Sequence, residues 1–172
     1  AVAITPLKNL RRFIAEGNRI RDFPFHATFP LLFLLNLSNN SIPELPQNAF
    51  QGCPRLTELD LSSNSITKVA PLSNLLHLET INLENNQLET LPDMSSLIKL
   101  KETLLDKNPW KCDCGLQDFR RWIEITETDV ICDSPSTLKG TSLKSLEIED
   151  LICATVPPTP QFVNITQNHM FF

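Results

Sequence analysis

Several functional classes are argued against by what this sequence lacks. Its 172 residues carry 15 Lys and Arg against 20 Asp and Glu, a formal charge of −5. Nucleic-acid binding calls for clustered cationic side chains to meet phosphates, so that partner is not expected. No apolar run approaches the roughly 20 residues needed to cross a bilayer. A membrane would be reached only through segments outside this chain. His-Glu-x-x-His, Gly-x-Ser-x-Gly and a phosphate loop are all missing, and His26, His77 and His169 are scattered. No catalytic residue, cofactor or metal site is therefore expected. No signal peptide heads the sequence, which is equally true of a mature or trimmed product.

What is present begins with cysteine. Of Cys53, Cys112, Cys114, Cys132 and Cys153, four crowd the C-terminal third. Sequons stand at Asn36, Asn39 and Asn164, and each is an N-glycosylation candidate. Sequons beside a cysteine cluster favour an oxidising, extracellular setting, either at a cell surface or secreted.

Residues 78–92, LETINLENNQLETLP, show the organising pattern. Their apolar spacing is neither the alternation of a strand nor the three-to-four beat of a helix. The beat recurs from Leu10, Leu32, Leu56, Leu78 and Leu100, with starts 22, 24, 22 and 22 residues apart. Asn18, Asn40, Asn64, Asn86 and Asn108 fall at the same place in every copy. In each unit the expectation is a short strand, followed by an Asn where the backbone turns away. A buried bend leaves peptide groups without ladder partners, which is costly. An Asn amide supplies both a donor and an acceptor, so stacked amides can bond the turns of neighbouring units.

Two further columns test this registration. Six residues before the starts stand Ile4, His26, Phe50, Leu72 and Met94; three before stand Leu7, Phe29, Cys53, Leu75 and Leu97. All are apolar but His26, which is expected to lie partly exposed on the convex side. Cys53 is expected to pack as a small buried hydrophobe. Residues 1–9 match only the tail of a preceding unit, so truncation or processing upstream is expected.

The five registered copies resemble the leucine-rich repeat family. The resemblance implies an α/β solenoid, curved, with a parallel sheet on its concave face. Residues 108–123, NPWKCDCGLQDFRRWI, followed by two spaced cysteines, resemble a cysteine-rich C-terminal cap of extracellular members. Structural zinc prefers two cysteine pairs separated by two to four residues. That spacing is not met, and disulfides are expected; sequence alone permits three connectivities. Proteins with this cap pair the first Cys with the third and the second with the fourth, which implies Cys112–Cys132 and Cys114–Cys153. Leu116, Phe119, Trp122 and Ile123 form one helical face, and Trp110 is expected to cover the end of the core. Thr103 departs from the usual aliphatic residue. The expected layout is a partial repeat over 1–9, repeats over 10–107, the cap over 108–153 and a Pro-containing linker or tail over 154–172.

Residues between the consensus leucines are expected to point out from the concave face, where they vary without disturbing the core. The candidate ligand-binding set is Arg11, Arg12, Phe33, Leu34, Glu58, Asp60, Asn82, Glu84 and Asp106. Phe33 and Leu34 put apolar area beside a basic pair, and the surface then turns acidic. Phe33 either offers a contact or packs on its neighbours. A glycan on Asn36 would stand on this face and push binding to the convex side, an edge or the cap. The resemblance, which extends to Slit-like and neuronal adhesion ectodomains and Toll-like receptors, implies a non-enzymatic ligand-binding ectodomain of a cell-surface receptor or adhesion protein. The alternative is a secreted or lipid-anchored immune recognition protein similar to the variable lymphocyte receptors. The partner would be a protein ligand or a second copy of the chain.

Overall fold

The structure, a computed structural model, describes residues 7–154. Ile4, Asn164, His169 and nearly all of the expected tail lie outside the described residues. The strands are β1 (Arg12–Ile14), β2 (Leu34–Asn36), β3 (Glu44–Leu45), β4 (Glu58–Asp60), β5 (Lys68–Val69), β6 (Thr80–Asn82) and β7 (Glu102–Leu104). One parallel sheet runs β1-β2-β4-β6-β7, and β3 pairs separately with β5. The chain is a leucine-rich repeat solenoid, with the five-stranded sheet on one side of every coil.

In-register pairing lines up Phe13, Leu35, Leu59, Ile81 and Thr103 at the strand centres. Leu35, Leu59 and Ile81 are buried, and their strand neighbours face outward by the two-residue alternation of a strand. Leu37, Leu61, Leu83 and Leu105 continue the buried core beyond the strands. Thr103 is only half-buried, as the last strand has no further coil stacked beyond it.

The asparagines hold the coils together. The Asn64 amide donates to Leu61 O in its own turn and to Leu37 O in the preceding coil, both at 3.0 Å, while its Oδ1 accepts the Ile42 N–H at 3.0 Å. Asn86 makes the same set with Leu83, Leu61 and Ile66. Asn108 does so with Leu105, Leu83 and Leu88, and Asn40 with Leu37, Ala15 and Ile20. The five copies are not equal, however. Asn18 is exposed and bonds only Ala15 O and Glu16 O of its own turn.

The bend itself needs a left-handed residue just before each Asn. Gly17, Asn39, Ser63, Asn85 and Lys107 take φ of 75°, 55°, 55°, 57° and 61°. Outside glycine that conformation costs about 1–2 kcal/mol, which the bonds of the following Asn offset.

One column expectation fails, and one column position is taken by a neighbouring residue. Leu7 is 41 % exposed, at the outer end of the described stack, and so does not join the core. His26 is exposed, as expected, its Nε2 lying 3.1 Å from Gln47 O. In the first unit Phe25, not His26, meets Phe50, with ring centroids 5.5 Å apart. Cys53 is buried at 2 % exposure.

The C-terminal module closes the core. Trp110 is buried, donates from Nε1 to Leu105 O at 3.1 Å and stacks on Phe119. Phe119 and Ile123 sit on α1 (Gln117–Ile123), with Trp122 half-buried beside them. Cys112 is bonded to Cys132 and Cys114 to Cys153, with Cα separations of 5.7 and 5.1 Å. Arg120 is buried among these apolar groups. It donates to Leu146 O at 2.9 Å and Lys144 O at 3.1 Å, and it meets Glu124 at 2.9 Å. The guanidinium thereby ties the helix to the loop that follows it.

Asn86→Ala removes the partner of a buried N–H and of two buried carbonyls. Denaturant unfolding should show a loss on the order of 3 kcal/mol, whereas Asn18→Ala should cost under about 1 kcal/mol. Burial pushes the Cys53 thiol from 9.0 up to about 11, against a smaller opposing pull from a hydrogen bond with the Phe29 backbone. A folded-state value above the unfolded one means stability is retained below pH 9 and falls as pH rises toward 11. Cys53→Ala should lack that fall in a pH series of unfolding curves. Thiol titration in denaturant should find one free thiol per chain, unreactive before unfolding.

Candidate functional site

The outward residues form rows across the sheet, set by strand register. Arg12, Leu34, Glu58, Thr80 and Glu102 share one row, and Ile14, Asn36, Asp60, Asn82 and Leu104 share another. At the strands' N-terminal edge Arg11, Phe33, Thr57, Glu79 and Lys101 make a third. Each of the last four donates its N–H to the carbonyl of the residue before it in that row, at 2.8–2.9 Å.

Two depressions lie on these rows. A groove of about 510 Å³ at the N-terminal edge is lined by Arg11, Leu31, Phe33, Arg55, Thr57 and His77. A second, of about 250 Å³, lies over the strands and includes Leu34, Asn36, Glu58, Asp60, Thr80, Asn82 and Leu104 in its lining. The nine residues singled out in the sequence are thus divided. Arg11 and Phe33 meet in the first groove; Leu34, Glu58, Asp60 and Asn82 meet in the second. Arg12 places its guanidinium carbon 5.3 Å from the Phe33 ring centroid, a cation–π pair. Phe33 packs against Arg12 and also lines the first groove.

Glu84 and Asp106 line neither depression. They stand past the strands, where their backbone carbonyls accept the N–H groups of Ser63 and Asn85 at 2.9 and 3.0 Å. Leu31, Arg55 and His77 were missed. They do carry a signal, because each directly precedes a repeat start, as Lys99 does in the last repeat. That column has no consensus leucine to draw attention to it.

The second groove is stiffened from within. Asn36 Oδ1 accepts from Ser38 N at 2.9 Å and Ser38 Oγ at 2.7 Å; Asp60 Oδ1 does the same with Ser62 at 3.0 and 2.7 Å. Asn82 Oδ1 accepts the Glu84 N–H at 3.0 Å. These Asx turns fix the side chains. They leave the Asn36 and Asn82 amide groups and Asp60 Oδ2 without a protein partner among the described residues. A ligand would meet two donors and an anionic acceptor already in place. Of the sequons, Asn36 is half-buried in this groove and Asn39 is exposed on its left-handed turn. Asp113, Cys114 and Cys153 bring ligand-type atoms within 4.8 Å, but the two sulfurs are bonded to each other and offer no thiolate. No helix among the described residues is long and apolar enough to cross a membrane.

Comparison with known proteins bears on this architecture. The family description "Leucine rich repeat" matches residues 8–66, and "Leucine Rich repeats (2 copies)" matches 54–99. Trophoblast glycoprotein of Macaca fascicularis is 34 % identical over 143 residues, which are 76 % of this chain and 34 % of that protein. Toll-like receptor 6 of Bos taurus is 29 % identical over 150 residues, 81 % of this chain and 19 % of the receptor. Chondroadherin of Mus musculus is 35 % identical over 105 residues, 58 % and 29 % respectively. The crystal structure of human trophoblast glycoprotein superposes with a TM-score of 0.61 at 34 % identity, covering 71 % of this chain and 48 % of that one. The chain therefore spans about a third or less of the length of these full-length relatives.

Phe33 is half-buried, whereas Leu35 is 1 % exposed in the core. In thermal or denaturant unfolding, Phe33→Ser should cost about 1 kcal/mol or less, against about 2–5 kcal/mol for Leu35→Ala. Phe33 variants therefore report on binding rather than on folding.

Proposed function

The chain belongs to the leucine-rich repeat family, and from that premise we propose that it is a non-enzymatic extracellular module that recognises a protein ligand. Its setting is the ligand-binding ectodomain of a cell-surface receptor or adhesion protein. The same reading divides it into repeats over 10–107, a cap over 108–153 and a linker or tail over 154–172. The observation that carries the proposal is the strand-face groove, where Leu34 and Leu104 flank the fixed Asn36, Asp60 and Asn82 side chains. Polar groups locked by their own turns lose little freedom when a partner binds, and such preorganisation favours affinity. Apolar flanks supply the area that leaves water. Two disulfides in the cap suit an oxidising compartment. Relatives named as a glycoprotein and a receptor lend support of the same kind.

A glycan at Asn36 would fill this groove, while one at Asn39 would project from the exposed turn at the strands' far edge. The reading therefore places the sugar on Asn39 and leaves Asn36 bare. Glycopeptide mass spectrometry of the secreted chain should find occupancy at Asn39; full occupancy at Asn36 would contradict recognition through the strand face.

Capture from extracellular extracts by the intact chain tests the surface directly. Leu34→Glu and Glu58→Arg should each weaken capture at least about 10-fold, corresponding to about 1.4 kcal/mol. Lys68→Glu, at an exposed position of β5 outside the five-stranded sheet, should leave it unchanged. Retention of full capture by both face variants would reject the strand face. A concentration-dependent dimer by sedimentation, abolished by the same two changes, would identify a second copy as the ligand.

A further inference from the structure

We infer that the groove at the strands' N-terminal edge docks an acidic protein segment that carries an apolar side chain among its carboxylates; this deepens the recognition reading above and rests on it. The floor is apolar. Leu31 and Phe33 are both half-buried there, and Arg12 covers part of the Phe33 ring. At about 510 Å³ the groove is within the size range of a pre-formed ligand site.

The rim is cationic. Arg11 and Arg55 line the groove together with His77. Among the described residues no ion pair engages Arg11, Arg12 or Arg55. Further along the same edge Lys101 is already paired with Glu79 at 3.3 Å, so the groove is where two guanidinium groups of this edge, Arg11 and Arg55, stand together without an ion pair. Thr57 does not dilute this polarity, because its hydroxyl donates to Phe33 O at 3.1 Å. Guanidinium groups bind carboxylates through paired, charge-assisted hydrogen bonds. Two of them around an apolar floor select carboxylates flanking a hydrophobic side chain.

The opposite edge of the sheet sets the direction. Glu16, Asp60, Glu84 and Asp106 lie at or past the C-terminal ends of the strands, with Lys107 beside the last of them, and Glu58 and Glu102 open β4 and β7. An acidic segment is drawn to one edge and repelled from the other, so it lies across the strand ends rather than along the strands. A sulfated polysaccharide would also meet the cations, but it has no use for the Leu31 and Phe33 floor.

The test is selection from a random short-peptide display library on the intact, disulfide-bonded chain. Enriched peptides should carry Asp or Glu on both sides of Phe, Leu or Trp. Synthetic copies should lose at least about 10-fold in affinity to the Arg11→Glu/Arg55→Glu double variant and to Phe33→Ser, and should weaken as salt rises. Lys68→Glu should bind as the unaltered chain does. Selection without acidic enrichment, or peptides that bind both groove variants undiminished, would overturn the inference. So would heparin fragments that bind in place of the peptides and ignore Phe33→Ser. The two readings fail separately. Acidic peptides that bind while Leu34→Glu and Glu58→Arg leave extract capture intact would uphold the groove and reject the strand face. Capture lost with those variants, without acidic selection, would reject the groove alone.

Discussion

A side-chain amide that serves two coils at once is the constraint on which this structure depends. Each strand of the five-stranded sheet is only three residues long because the chain must leave the sheet quickly to close its coil. The departure strands backbone groups of both the leaving coil and its neighbour inside the core. One Asn per repeat answers both needs, donating to a carbonyl on each side and accepting an N–H from the preceding coil. Neither Asp nor Leu could replace it, since the site needs donor and acceptor together. The left-handed residue before each Asn belongs to the same device: it turns the backbone so that the amide points back into the stack.

This device fixes the spacing of the coils, and the spacing in turn fixes the rows of the outer face. Strand register carries Arg12, Leu34 and Glu58 into one line because their coils are held at a constant offset. The cap serves the same end from the other side. Trp110 bonds the Leu105 carbonyl and stacks on Phe119, so the last coil finds apolar cover without a further repeat. Arg120 shows how the cap keeps a charge inside that cover: two carbonyls and Glu124 take its donors, which a buried guanidinium requires.

Much of this was legible in the sequence because the consensus positions answer to one-dimensional rules. Leu59 and Ile81 recur where the core needs them, and Asn64 and Asn86 where the bend does. The readings that failed did so where a coil differs from its neighbours. In the first coil Phe25 packs against Phe50, in the place that the repeat register gives to His26. Asn18 and Leu7 sit at the outer end of the described stack and lack a coil to bond or to bury them. For the candidate site, register alone found the Phe33 and Glu58 rows. It could not find Arg55 and His77, whose column is defined by proximity to the edge and not by any packing requirement. Arg120 was equally hidden, because a lone Arg on a short helix reads as solvated until the loop carbonyls around it are known.

The separation of charge across the sheet follows from the same geometry. The residue before each repeat start and the one after it stand at one end of the strands, and the residues after the strands stand at the other. Substituting either set leaves the leucine and asparagine columns untouched, so the two edges are free to acquire opposite sign. Arg11 and Arg55 lie at one end, where Glu79 is paired with Lys101, and Asp60, Glu84 and Asp106 lie at the other, with the half-buried Asn36 at the end of β2. A face built this way has a direction. A partner with its own charge asymmetry would be oriented before contact, since complementary potentials steer approach and penalise the reversed alignment. In the proposed recognition the apolar area at Phe33 and Leu34 would act on a partner already turned the right way, with orientation from charge and residence from burial.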